Sequence, residues 1–216
     1  MFYRLILSLF LGLFSLTSNA TAKPIEVVAT IKPIHSLLSS LMQGVGKPTL
    51  LMEKVTPYEY IPSAQDQALL KRADLVVWMG PELEKSVADV LTPETKNYEM
   101  LSDTDFKVFP SRKSDDLRDP YMWLDVRNAE VFIDALYNQI EAIDPKNKKI
   151  FMKNRDALKY KVAALDRKFE FGFRGIAAGI SWMYHDTQQY FEQSYDFKTR
   201  GFLSENPAED AQTENL

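Results

Sequence analysis

Two short apolar runs, "VVATI" from Val27 and "LVVWM" from Leu75, constrain the fold more than anything else in the chain. Each is bounded tightly, rich in β-branched residues and apolar without alternation, which is how a strand buried on both faces reads. Helical spacing separates them. In "PIHSLLSSLMQGVG" the residues Ile34, Leu37, Leu38, Leu41 and Met42 form one stripe, Pro33 sits at the first helical position, and Gly44 and Gly46 mark the end. "PTLLME" (Pro48 to Glu53) reads as a second strand, followed by the loop "TPYEYIP". Ser63 is suited to cap a helix over "AQDQALLKRA", with Asp66 in its first turn. Strand, helix, strand, loop, helix, strand is the rhythm of an α/β unit with a parallel sheet.

Farther along, "PELEKSVADVL" reads as a helix, "YEMLSD" as an edge strand and "FPSRKSDDLRDP" as a polar surface loop. Phe132, Ile133, Leu136, Ile140 and Ile143 line one face of a helix that Asp144-Pro145 ends. Pro145 opens another, with Phe151, Leu158, Val162, Leu165 and Phe169 at helical spacing. Running from Pro145 to Phe169, it would reach about 38 Å, enough to join two lobes. After Gly172 come a turn and strand in "GIAAGISWMYHD", a helix in "TQQYFEQSYDF" with Thr187 near its cap, and a short strand in "KTRGFL". "SENPAEDAQTENL" is polar.

The opening "MFYRLILSLFLGLFSLTSNATA" has a positive start at Arg4, an apolar run and an A-x-A site at Ala20-Thr21-Ala22. It reads as a secretory signal peptide cleaved near Ala22, the alternative being an uncleaved anchor. With no cysteine anywhere, disulfides, thiolate zinc cages and Cys nucleophiles are excluded, which suits a periplasmic protein. A net charge of -4 with interspersed signs argues against a nucleic-acid binder.

The sequence points to no enzyme: it holds no Gly-rich phosphate loop, no G-x-S-x-G and no H-E-x-x-H. The acid pairs Glu82/Glu84 and Asp115/Asp116 fall in surface-type segments. Trp78, Trp123 and Trp182 read as core residues, and His35 as a partly exposed helix histidine.

Three segments together, "VVATIKPIHSLLSSLMQGVGKPTLLMEKVTPYEY", "SAQDQALLKRADLVVWMGPELE" and "DPYMWLDVRNAEVFIDALYNQIEAIDP", resemble the N-terminal lobe of the periplasmic zinc- and manganese-binding proteins of ABC uptake systems. "HDTQQYFEQSYDFKTRGFLSENPAE" resembles the opening of that family's C-terminal lobe, and the zinc-uptake branch is the most similar. The resemblance implies two α/β lobes joined by one long helix, metal held between them on three histidines and a carboxylate, and delivery to a membrane ABC permease. It divides the chain into a signal peptide (1–22), an N-terminal α/β lobe with a parallel sheet (23–127), helices that include the interlobe helix (128–172) and an incomplete second α/β lobe (173–216).

The family's first two histidines lie in motifs of the form S-P-H-D-Y and D-P-H-x-W-L-D. Here Tyr58 stands at the first position, in "TPYEY", and Tyr121 at the second, in "DPYMWLD". His185, in "MYHDTQQY", matches the third. The fourth ligand, a carboxylate late in the C-terminal lobe, has no counterpart, and "SRKSDDLRD" replaces the family's histidine-rich loop. A lobe shortened in this way is expected to leave apolar surface uncovered around Ile180 to Tyr184, with order ending near Phe202.

Zinc favours imidazole, thiolate or carboxylate in a tetrahedron. Beside His185, the acids Glu59 and Asp125 could add oxygen, or serve as a solvated loop carboxylate and a helix cap. Phenolate is a hard donor suited to ferric iron, so Tyr58, Tyr121, His185 and a carboxylate form an alternative ferric set. The other reading of the tyrosines is a neutral, hydrogen-bonded pair in a cleft that has lost its metal, leaving a relic or an interaction protein.

Overall fold

The computed structural model describes residues 23–176, 181–204 and 207. The segment read as a signal peptide, Ile180 and nearly all of the polar C-terminal stretch lie outside the described residues.

β1 (Val27–Ala29) and β3 (Leu75–Trp78) are buried along their whole length, as their unbroken apolar character requires. They pair in parallel, flanked by β2 (Thr49–Leu50) and β4 (Asn97–Glu99), in the order β2-β1-β3-β4. β4 is therefore the edge strand expected of "YEMLSD", which continues as a 3-10 turn over Met100–Ser102.

α1 (Lys32–Leu41) starts one residue before Pro33, which lies in its first turn rather than at its first position, and buries Ile34, Leu38 and Leu41. α2 (Ala64–Arg72) begins with a reciprocal capping box between Ser63 and Asp66, which satisfies two backbone N–H groups. α3 is one turn only, Lys85–Ala88, shorter than the helix expected there.

The polar segment read as a loop is a hairpin: β5 (Pro110–Ser111) pairs antiparallel with β6 (Ser114–Arg118), with Arg112 and Lys113 at the tip. Lacking glycine and apolar alternation, it carries no hairpin signal in sequence. α4 (Val126–Ile143) buries Phe132, Ile133, Leu136 and Ile140. Pro145 opens a 3-10 turn, and the long helix α5 runs Lys148–Phe173, about 39 Å at 1.5 Å per residue. Phe151 and Leu158 are buried on it, whereas Leu165 is exposed, because α5 runs past the end of the sheet-bearing core.

A separate two-stranded parallel sheet follows, made of β7 (Ser181–His185) and β8 (Thr199–Ser204), with α6 (Gln189–Tyr195) as the crossover. Gln188 stands at the N-cap of α6, with Thr187 next to it. Trp182, expected in the core, is 44% exposed; its ring lies across Gly201, where a Cβ would come within 2.6 Å of it. Tyr184 is exposed on the same strand.

Candidate ligand cleft

Tyr58 sits in the loop after β2, and Tyr121 follows β6 just before a 3-10 turn over Met122–Leu124. Asp125 ends that turn and caps α4, its Oδ1 accepting the Arg127 N–H at 2.9 Å. The cap fixes where the "DPYMWLD" segment enters the helix and holds Tyr121 against the core. The two phenol oxygens meet in a hydrogen bond of 2.5 Å. Tyr121 is buried, and its ring packs edge-on to Trp123. Burial, and next the neighbouring Tyr58, hold the Tyr121 phenol above its ordinary range, so it remains neutral.

Beside the pair lies a cavity of about 320 Å³, lined by Tyr58, Tyr121, Asp119, Asp186, Arg112 and Arg118 among others. Burial pushes the Asp119 carboxyl up to about 6, against the pull of the Tyr121 N–H, which it accepts at 2.9 Å. Asp186 raises it further and Arg112 lowers it. Arg118 donates to Glu82 and, at 3.0 Å, to Glu99. On the other side of the tyrosines is a second, apolar hollow of about 260 Å³, with Pro33, Met52, Leu83 and Trp123 in its walls.

The structure brings Tyr58 and Tyr121 together, but not the rest of the sequence-derived set. Glu59 is exposed and accepts from the Thr56 hydroxyl at 3.1 Å. His185, at the end of β7, is hydrogen bonded through Nδ1 to the Ser204 hydroxyl at 3.1 Å. Neither lines the cavity; Asp186, the next residue, does. Among the described residues no group of three or more His, Cys, Asp or Glu side chains is placed to hold a metal ion.

Other functional-looking groups were hidden in the sequence. Glu84, read as a surface acid, is completely buried: its Oε2 accepts the N–H groups of Met79 at 2.6 Å and Gly80 at 3.3 Å. Burial pushes its carboxyl up to about 7. Gly80 is required at this turn, since its φ is 147° and a Cβ would lie 2.9 Å from Leu101. Glu82 is likewise mostly buried, in its ion pair with Arg118. Asp119 and Asp186 sit in the "DPY" and "HDT" triplets, but nothing local in sequence marks Arg112 as their neighbour.

The chain thus joins a parallel sheet through a long helix to a second α/β unit, with a cavity lined by Tyr58 after β2, Glu82 after β3 and the β5–β6 hairpin. The family model described as "Zinc-uptake complex component A periplasmic" matches residues 27–216, and the chain belongs to that family. The substrate-binding lipoprotein SloC of a Streptococcus mutans metal ABC transporter is 29% identical over 172 residues, 73% of this chain but 55% of SloC. The high-affinity zinc uptake protein ZnuA of Brucella abortus is 23% identical, over 84% of this chain and 68% of its own length. Among solved structures, AdcAII of Streptococcus pneumoniae superposes with a TM-score of 0.76 at 20% identity, over 88% of this chain and 72% of that one. The periplasmic zinc-binding protein TroA of Treponema pallidum gives 0.75 at 22%, over 88% and 70%. Relatives also include an iron ABC transporter lipoprotein, MtsA of Streptococcus pyogenes. Among the described residues no helix is long and apolar enough to cross a membrane.

Proposed function

We propose that this chain is an exported, periplasmic binding protein of the ABC metal-uptake class whose cleft does not hold zinc tightly, because Tyr58 and Tyr121 stand at two of the family's histidine positions. The observation that carries this reading is the 2.5 Å bond between the phenols. One phenol donates to the other, and an ion between them would have to break that bond and deprotonate a buried tyrosine. Imidazole offers zinc a neutral lone pair with no such cost. His185 alone supplies too few ligands, and neighbouring groups that merely orient it cannot make up the number. Recognition by a membrane permease and cleavage near Ala22 belong to the same proposal.

The test is metal content of the folded chain from Lys23, equilibrated separately with zinc and ferric iron and then desalted. We expect less than stoichiometric zinc on the native chain, and a marked gain on the double variant Tyr58→His, Tyr121→His. Stoichiometric zinc on the native chain would overturn the reading. A coloured, stoichiometric ferric complex would replace it with phenolate ligation by Tyr58 and Tyr121.

A further inference from the structure

Arg112 lies at the tip of the β5–β6 hairpin, in the sheet-bearing part of the chain, yet its charge is spent on the other part. Nη1 donates to Asp186 Oδ1 at 2.7 Å, and Nη2 to Glu192 Oε2 at 2.6 Å. Asp186 follows β7 and lines the cavity; Glu192 is on α6. The side chains of Asp186 and Glu192 are only 13% and 12% exposed and that of Arg112 32%, so the carboxylates at least are shielded from water. Burial opposes the charge on Arg112, but Glu192 and Asp186 together hold it above its ordinary range. A planar fork that serves two carboxylates at once is what guanidinium does and ammonium does poorly.

A second bond spans the same junction. Tyr190 of α6, fully buried, donates to the Asp119 carbonyl at 3.0 Å and accepts the Phe109 N–H at 2.8 Å. The β5–β6 hairpin and α6 are therefore held in one geometry, with the tyrosine-lined cavity beside their contact. In a cleft of this class a cation between the two parts would be the natural cross-link. Here a side-chain cation already occupies that electrostatic role.

We propose that Arg112 is a built-in counter-ion that clasps the cleft closed in the absence of a bound metal, so that closure does not depend on cargo. This rests on reading the cavity as the ligand cleft of the class. Removing the guanidinium takes away the ion pair that Asp186 and Glu192 each make with the hairpin tip, and so weakens the tie between the hairpin and the α6 side.

The experiment is amide hydrogen exchange over residues 110–118 and 186–195 in the full mature chain, with EDTA and with added zinc. The native chain is expected to show the same protection in both conditions. Arg112→Ala is expected to speed exchange in both segments about tenfold or more, and Arg112→Lys to fall between, since it keeps the charge without the fork. Should Arg112→Ala fail to fold by circular dichroism, Glu192→Gln removes one arm from the other side and is expected to give a smaller acceleration. Native-like exchange in the folded variants would overturn the clasp, as would protection in the native chain that appears only with zinc. Stoichiometric zinc bound without any change in protection would instead overturn the functional reading and leave the clasp standing.

Discussion

Glu84 shows how much of a residue's character is set by its neighbours. In sequence it is one of two acids in "PELE"; in the fold it is a carboxyl sealed beneath the turn after β3 and bonded to two backbone N–H groups. No local pattern distinguishes it from Glu82, because its burial is decided by the packing of β3, Gly80 and Leu101. Its pKa is raised, from 4.5 to about 7, so its contribution to stability is complete below about pH 4.5 and is lost as pH rises through 7. At 1.36 kcal/mol per pH unit, the ionised form costs roughly 3 kcal/mol above pH 8. Glu84→Gln is therefore expected to gain up to that amount over the native chain at pH 8, and only about a quarter of it at pH 5. Asp119, raised for the same reason, is present in both proteins and cancels from the comparison. Urea unfolding at the two pH values measures the difference; an equal effect at both would mean that Glu84 is ionised throughout. The tyrosines were more legible as neighbours: a hydrogen-bonded pair is one of the two readings their motif-like segments allow, and their hydroxyls meet.

At the scale of elements, what could be read in advance follows burial. β1 and β3 announce themselves by continuous apolar residues, α2 by its capping box and α4 by a stripe that the structure buries nearly whole. The β5–β6 hairpin was unreadable for the converse reason: it is polar, mostly solvated and turns without glycine. Its significance comes from contacts across more than 70 positions, such as that of Arg112 with Asp186, which no window on the sequence spans. Tyr190 is the clearest case. It lies in a segment readable as an amphipathic helix, but its hydroxyl joins that helix to the backbone of Phe109 and Asp119. Tyr190→Phe would keep the ring stacked on Phe109 while stranding a donor and an acceptor. A loss of about 1–3 kcal/mol is expected for each group that stays shielded from water. Chemical denaturation checks this, and a loss below about 0.5 kcal/mol would show that water replaces the hydroxyl at the α6 junction.

For the whole molecule, the question is whether one core or two holds it. The four-stranded sheet, α1, α4 and the first half of α5 share a continuous buried core. The β7–β8 sheet is differently placed. α6 is anchored by Tyr190 and by an aromatic cluster in which Phe169 and Phe173 of α5 meet Phe191 and Tyr195. Among the described residues β7 and β8 form a two-stranded sheet, with Trp182 and Tyr184 open to solvent. Parallel sheets are normally covered on both faces, so a two-stranded one with exposed aromatics should open below the free energy of global unfolding. Native-state hydrogen exchange is expected to show amides of 181–185 and 199–204 exchanging at least about tenfold faster than those of β1 and β3. Their urea dependence should be shallow, as for a small opening, while β1 and β3 follow the steep dependence of the whole chain. If all four strands shared one rate and one steep slope, the second sheet would be part of a single cooperative unit. Arg112 and Tyr190 would then couple the two parts energetically as well as hold them in place.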